Sequence, residues 1–407
     1  MKNEFLEIAA ALEQIKNGKM LILVDHQERE NEGDFFFPAS EVTAQKVNTA
    51  IKLGGGILCV ALSPEIALRL DLGLMVSPIE NTEQTGVNFA VSVNAKNGIS
   101  SGVSAFDRAK TIKILGSKNS KSGDLTKPGH VFPLVAHSGG LLKRQGHTEA
   151  AVALSALAGF TPAGVLCEIL NKEGKTASRR ELILLAKKLH IGIVSIDDLK
   201  AYVKNHKVPI LEKSIIKTAS SRLPTKFGNF AINIYKSILD NKEHIALKLG
   251  KKLSNPVLTR IHSQCLTGDT LFSEKCDCGE QLRKSLEQIQ KKGEGILIYL
   301  NQEGRGIGLT NKIKAYALQE KGLDTVEANM ALGLPVDSRD FKTAFEILDN
   351  LDIKEIDLLT NNPEKIKQLE ELGISIKNQI PLTVIPNSFN KDYLLTKKVK
   401  LGHTIDF

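Results

Sequence analysis

Tryptophan is missing from the 407 residues, and aromatic residues of all kinds make up 5% of the chain. That leaves little material for the aromatic platforms interleaved with basic residues on which single-stranded nucleic acids stack. No run approaches the roughly 18–20 consecutive apolar residues that span a bilayer. A membrane partner is therefore not expected, and the cytoplasm is the expected compartment. Cysteine is scarce at five residues, too few and too unevenly placed for a disulfide scaffold. In a reducing compartment, clustered thiols point to metal or to chemistry. Low-complexity tracts are absent, and the two halves show no repeat.

What is present is the composition of an ordinary folded protein, 42% hydrophobic and 25% charged. Single cores stop growing at about 250–300 residues, so this length implies two domains. The net charge of +8 and pI of about 9.0 call for an anionic partner, whether nucleic acid, a membrane surface or a phosphorylated small molecule. Lysines are interleaved with acids along the chain, as in KKGEGILIYL, and read as solvated surface rather than a basic arm. The opening segment places Phe5, Ile8, Ala9, Leu12 and Ile15 at helical spacing. It predicts an amphipathic helix and not a cleaved leader.

Short apolar runs such as KMLILVD and GGGILCVAL alternate with helical patterns such as EAAVALSALAGF and RRELILLAKKLH, which predicts an α/β fold. The polar stretch from Lys204 to Phe230 breaks that periodicity, and the domain boundary is placed within it, giving domains 1–208 and 209–407. Strand-like NFAINIY, HIALKLG and PVLTRIHS open the second half. Strand and helix then alternate through GILIYL, LTNKIKAYALQEKG, FKTAFEILDNL, EIDLLTNN and PEKIKQLEELGI. The fold class is α/β (α+β), each domain a mixed sheet with packed helices. KDYLLTKKVKLGH reads as a loop or helix end closing the second domain.

Three of the five cysteines, Cys265, Cys276 and Cys278, form a C-x10-C-x-C pattern. Soft thiolates suit zinc: a structural site takes four ligands, whereas a catalytic one holds three and keeps a position for water. Spacing alone leaves both open, because His262 stands near enough in sequence to be a fourth ligand. Downstream, NQEGRGIG lies between a strand pattern and a helix pattern. Such a turn lets backbone approach phosphate, and Arg305 adds a forked cation.

RIHSQCLTGDTLFSEKCDCGEQL, NQEGRGIGL, DTVEAN, DSRD and LLTNNPEK, in that order, resemble the motifs of GTP cyclohydrolase II over most of residues 215–400. The resemblance implies that Cys265, Cys276 and Cys278 hold zinc and that its open position carries the water that hydrolyses the imidazole ring of GTP. It implies that Arg260, Ile261, His262, Ser263, Gln264, Gln281, Glu303, Gly304, Arg305, Thr325, Thr360 and Lys365 contact GTP. Asp337 would be the proton acceptor and Tyr316 would assist at the ring. The family associates Arg339 with attack on the α-phosphate. A guanidinium stays protonated at ordinary pH, so physically Arg339 reads as an electrostatic clamp. Gln264 departs from the family, which usually has Glu there.

In the first half, ERENEGDFFFP follows the strand LILVD and places Glu30, Glu32 and Asp34 beside Arg29. Alternating carboxylates after a strand end suit a hard cation. His130 in KPGHVFP, His147 in KRQGHTEAA and Glu168 in an apolar run complete the candidates, since a buried unpaired carboxylate is expensive. With SSGVSAFDRAKTI, these segments resemble 3,4-dihydroxy-2-butanone 4-phosphate synthase over residues 5–200. The resemblance implies that Glu30 and His147 bind magnesium or manganese. Arg29, Glu30, Asp34, Arg144, Gln145, Gly146, His147, Thr148 and Glu168 would contact D-ribulose 5-phosphate, with His130 and Glu168 as the catalytic pair. Ala153, His137 and Thr176 stand where the family usually has other residues.

The two resemblances together imply a homodimeric, bifunctional enzyme at the entry to riboflavin biosynthesis, with no nucleic-acid partner. The alternatives are a cyclohydrolase on a degenerate N-terminal scaffold and a zinc-dependent nucleic-acid-binding protein. The first would release no formate from ribulose 5-phosphate. The second needs a basic cluster and a closed zinc site.

Overall fold

The computed structural model describes residues 4–76, 81–206, 214–238, 242–335, 337 and 339–402. Met1–Ser214 with Ile238–Asn241 form one compact unit, and Ile215–Ser237 with Lys242–Phe407 form the other. The boundary placed between residues 208 and 209 lies outside the described residues.

The first unit contains strands β1 (Leu21–Val24), β2 (Gly33–Pro38), β3 (Cys59–Leu62), β4 (Val93–Ala95), β5 (Leu125–Val135), β6 (Ala163–Glu168) and β7 (Gly192–Ser195). Its helices are α1 (Ile8–Lys16), α2 (Ala44–Leu53), α3 (Pro64–Arg69), α4 (Ala105–Leu115), α5 (Gly140–Lys143), α6 (His147–Leu157), α7 (Arg179–Leu189) and α8 (Ile196–Asn205). The sheet is mixed, in the order β4-β5-β3-β6-β2-β1-β7. β2 lies near its middle, and Phe35, Phe36 and Phe37 are all fully buried. Successive side chains of a strand face opposite ways, so Phe35 and Phe37 join one core layer and Phe36 the other. Each such ring contributes about 1.5–3 kcal/mol by leaving water. α1 buries Ile8, Ala11, Leu12 and Ile15. Ala9, expected on the inner face, is exposed, and Ala11 takes its place.

The second unit contains β8 (Ile215–Thr225), β9 (Gly228–Ser237), β10 (Glu243–Leu249), β11 (Val257–Ser263), β12 (Gly295–Leu300), β13 (Glu355–Leu359) and β14 (Ser375–Ile380). Its helices are α9 (Cys278–Lys292), α10 (Gly308–Gln319), α11 (Thr325–Ala331), α12 (Lys342–Asn350), α13 (Pro363–Glu371) and α14 (Lys391–Leu401). The order β14-β13-β11-β12-β10-β9-β8 joins a parallel half, β14 to β12, to an antiparallel half, β12 to β8. The α/β expectation, a mixed sheet with packed helices in each domain, holds for both units. The segment Gln264–Asp277, the turn Asn301–Ile307 and the residues Thr360–Asn362 all follow the carboxyl ends of β11, β12 and β13. In open α/β sheets, ligands bind at that end.

Candidate active sites

In the second unit, alternation along β11 sorts the side chains. Arg260 and His262 face a cavity that Ser263, Gln264, Gln281, Glu303, Gly304, Arg305, Thr325, Thr360 and Lys365 also line. Ile261, between the first two, is fully buried in the core and does not line the cavity; its carbonyl accepts from Lys365 Nζ at 2.7 Å. Every other residue named from the sequence as a GTP contact lines this one cavity, together with Tyr316 and Arg339.

The three thiols converge at its floor, with one sulfur from each within 4.8 Å of the others. Cys265 and Cys276 Sγ atoms are 3.6 Å apart, so no disulfide joins them. A π-type turn, Leu266–Thr270, brings Gly268 against the sulfurs; a Cβ there would lie 2.8 Å from Cys276 Sγ and 3.2 Å from Cys265 Sγ. Hydrogen bonds from the other two thiols, and Lys312 Nζ at 3.0 Å, hold Cys265 as thiolate well below the usual thiol range. Hydrogen bonding to Cys265, with burial, pushes Cys276 up to about 11, and hydrogen bonding to Cys265 and Cys276, with burial, raises Cys278 well above the usual thiol range. Three converging sulfurs, two on buried and one on a half-buried cysteine, that share one negative charge are suited to a soft dication, which makes all three thiolate. His262 does not close the set. Its Nε2 lies 3.1 Å from Asp269, which also accepts from Tyr299 Oη at 2.8 Å, and its Nδ1 faces Arg260.

The cations of the cavity fall into two groups. Lys312, Arg339 and Lys397 pair with Glu303, Asp337 and Asp277. Arg260, Arg305 and Lys365 have no carboxylate within ion-pair distance among the described residues. Gly304 and Arg305 both adopt left-handed backbone, φ 62° and 61°, a strained choice for arginine. Both terminal nitrogens of Arg305 are buried with no partner. Lys365 is held well below its usual pKa by burial and by Arg260 and Arg339. Burial works against the Asp337 charge, yet Arg339, whose Nε donates to Asp337 Oδ1 at 2.9 Å, keeps that carboxyl below its usual range. Sequence reading missed Lys312, Asp269, Asp277, Tyr393 and Lys397. The clearest signal was the placement of Asp277 between two cysteines.

In the first unit, buried Asp25 directly follows β1 and shapes the turn. Its Oδ2 accepts from Arg29 Nη1 at 3.0 Å and from the Glu30 amide at 3.1 Å, and its Oδ1 from the Glu32 amide at 3.0 Å. The turn carries Glu30 to His147, Oε2 to Nδ1 3.8 Å, at the first residue of α6. Asp34 on β2 lies opposite Glu168 on β6. Glu168 Oε2 accepts from the Ile57 amide at 2.7 Å, and Gly56 permits the approach, since a Cβ there would lie 2.3 Å from that oxygen.

Glu30 is lowered to about 2 by its contact with His147, against its burial and with help from Arg29. Burial, with Glu168 and Glu32 nearby, raises Asp34 to about 7, and one of its oxygens has no partner. Burial opposes the His147 charge, but Asp34 and Glu30 outweigh it and raise the imidazole to about 9. His147 Nε2 is also buried without a partner. A ring nitrogen of His147 and carboxylate oxygens of Glu30 and Asp25 lie within 4.8 Å of one another, and with the unpartnered His147 Nε2 this arrangement fits a bound divalent cation.

Arg144, ahead of α6, donates to Glu149 at 2.6 Å, and Gln145, Gly146 and Thr148 flank His147. His130 stands apart on an exposed part of β5, where its backbone amide donates to Asn94 Oδ1 at 2.9 Å. No hydrogen bond or ion pair among the described residues joins it to Glu30, His147 or Glu168. Ala153 packs into the core, Thr176 is exposed, and the His137 amide donates to Glu149 at 2.8 Å.

The fold and these two clusters define a two-domain enzyme with a separate polar site in each unit. Residues 9–202 match the family 3,4-dihydroxy-2-butanone 4-phosphate synthase, and residues 216–381 match the family GTP cyclohydrolase II. The chain is 48% identical to a riboflavin biosynthesis protein RibBA of Aquifex aeolicus, over 98% of both chains. It is 45% identical to one of Chlorobium phaeovibrioides, over 100% of this chain and 98% of the relative. A solved 3,4-dihydroxy-2-butanone 4-phosphate synthase in complex with two magnesium ions is 32% identical, with a TM-score of 0.48, over 50% of this chain and 99% of that one. The chain belongs to the RibBA family of bifunctional riboflavin biosynthesis enzymes, a lyase in its first half and a hydrolase in its second. No helix among the described residues is long and apolar enough to cross a membrane.

Proposed function

We propose that the cavity of the second unit binds GTP over a zinc ion held by Cys265, Cys276 and Cys278, and that the Glu30/His147 cluster binds D-ribulose 5-phosphate with magnesium or manganese. One observation carries the GTP reading: three converging thiols share a cavity with Arg260, Arg305 and Lys365, cations left without carboxylates. A polyphosphate supplies the missing negative charge. When bound, zinc supplies Lewis acidity and an acidic water at neutral pH. Asp337, paired with the cavity-lining Arg339 and kept ionised by it, accepts the proton of the attacking water. Arg339 itself stays charged and clamps the α-phosphate. Tyr316, its phenol kept neutral by burial, donates to the opening ring. The remaining residues named as contacts orient the nucleotide, with Ile261 acting through its backbone.

In the first unit, magnesium or manganese supplies polarisation of the ketone and hydroxyls. Glu30 and His147 hold the ion, whereas Asp25, its oxygens already taken by three donors, holds the turn. Glu168 and His130 move the protons that form the enediol, and loss of formate follows. Arg29, Asp34 and the segment Arg144–Thr148 position the sugar phosphate. We also propose, on the family resemblance, a cytoplasmic homodimer, which light scattering of the purified protein tests. The assembled Glu30/His147 cluster supports an active first half over a degenerate scaffold.

Separate assays decide the two activities. Purified protein with magnesium is expected to release formate from ribulose 5-phosphate, and with zinc to release formate from GTP. Cys276→Ser is expected to abolish zinc retention and the GTP reaction while leaving the first reaction intact. Formate still released from GTP by that variant would defeat the metal assignment.

A further inference from the structure

The stretch KDYLLTKKVK lies beyond residue 381, where the cyclohydrolase match ends. It forms α14, and Tyr393 and Lys397 on that helix line the GTP cavity. Leu394, 1% exposed, anchors the helix in the unit. Lys397 Nζ, itself buried, donates to Asp277 Oδ1 at 2.6 Å. Asp277 stands between Cys276 and Cys278, and its Oδ2 accepts from Gln281 Nε2 at 2.7 Å. Gln281 Oε1 accepts from Arg260 Nη2 at 2.7 Å, and Arg260 Nη1 donates to the Leu359 carbonyl at 2.8 Å. One line of hydrogen bonds thus runs from the last helix, past the thiols, to the end of β13. The Tyr393 ring sits between two cations, 4.4 Å from Lys397 Nζ and 6.0 Å from the Arg305 guanidinium, the group with unpartnered buried nitrogens.

A fully buried ion pair is a poor source of net stability compared with apolar packing, but breaking one partner away is severe because the other charge stays behind. Here the pair joins an element outside the matched family region to the two groups, Gln281 and Arg260, that face the nucleotide. We propose that α14 is a working wall of the nucleotide site and that Lys397 is a positioning residue, which through Asp277 sets Gln281 and Arg260 for the guanosine triphosphate anion. The inference rests on the reading of this cavity as the GTP site. Tyr393 completes the wall by holding the Arg305 guanidinium toward the ligand through its ring face.

The test uses the full chain and four readouts: zinc per chain, Kd for a non-hydrolysable GTP analogue, KM and kcat for formate release from GTP, and formate release from ribulose 5-phosphate. Lys397→Met is expected to raise Kd and KM at least ~10-fold and change kcat less than ~3-fold, with zinc content and the ribulose reaction unchanged, as loss of ground-state positioning requires. Lys397→Arg retains the cation and is expected to stay within ~3-fold of wild type. The double variant Lys397→Met with Asp277→Asn is expected to recover to a similar level, since Asn still accepts from Gln281 and no buried charge is left alone. A Lys397→Met enzyme within ~2-fold of wild type in both Kd and KM would overturn the proposal. So would loss of zinc alongside nucleotide affinity, which would make α14 a support for the thiols, and so would a double variant that fails to recover. Wild-type protein that opens no GTP would instead defeat the reading of the cavity, an outcome that none of the variants can mimic.

Discussion

Single residues decide what enters the cavity proposed for GTP and what stays in the core, and the period of a strand does much of that work. Arg260 and His262 point one way along β11 and Ile261 the other. A motif carried over from a family names all three as contacts; the pleat separates side-chain contact from backbone contact. The thiols themselves were legible because their spacing is rare. Their surroundings were not, because Lys312, Asp277 and Lys397 are common residue types made special only by burial and by partners far off in sequence. Gly268 belongs to the same class. Its lack of a side chain lets three sulfurs close together, and Gly268→Ala would set a methyl 2.8 Å from Cys276 Sγ. That variant is expected to lower zinc affinity by about 10–100-fold, the range seen when the groups behind metal ligands are disturbed. Zinc content after dialysis against a competing chelator measures it, and retention equal to wild type would show that the π-type turn can yield.

Among the elements, strands buried on both faces and helices with one wet and one dry face were readable, and the others less so. β1, β3 and β12 appear in the sequence as apolar runs, and α7 as a periodic helix with a Ser178/Glu181 capping box. β8 was not readable. All of Ile216–Thr225 is exposed at the edge of the sheet, so no alternation marks it, and the segment reads as a linker. α14 was hard to read for a related reason: Lys397 is buried while the apolar Leu395 and Val399 are exposed, so the helix shows no clean division into a polar and an apolar face. The SSGVSAFDRAKTI segment gains a physical role at this scale. Asp107, in the first turn of α4, accepts from Ser100 Oγ at 2.7 Å and from the amides of Ser100 and Gly102 at 3.2 and 3.1 Å, pinning the preceding loop. The Ser100 hydroxyl bond first, then those amides, hold its carboxyl below the usual value against its burial. A carboxyl depressed in the folded state adds stability above its unfolded pKa, about 3.9, and that stability is lost as pH falls through the folded value. Asp107→Asn is therefore expected to lower the unfolding midpoint of the first unit at neutral pH, by an amount that shrinks below about pH 4. Denaturant titration of both proteins across pH 3–7 tests this, and a difference independent of pH would refute it.

For the molecule as a whole, the metals proposed for the two units differ in chemistry on one chain. The second unit gathers soft sulfur donors, and the first gathers the carboxylates of Asp25 and Glu30 with the His147 imidazole. Soft thiolates favour zinc strongly, whereas oxygen-rich sites exchange magnesium or manganese readily. The two reactions should therefore separate under chelation without any mutation. Exhaustive treatment with a chelator that strips zinc, followed by magnesium alone, is expected to restore formate release from ribulose 5-phosphate to at least about half its original rate while the GTP reaction stays below about a tenth. Adding zinc afterwards should bring back the GTP reaction. The order of addition is informative because magnesium is a poor partner for three thiolates, and each activity reports only its own site. Parallel loss and recovery of both reactions with zinc alone would mean that the Glu30/His147 cluster does not hold the hard cation proposed for it, and the division of metal chemistry between the units would fail.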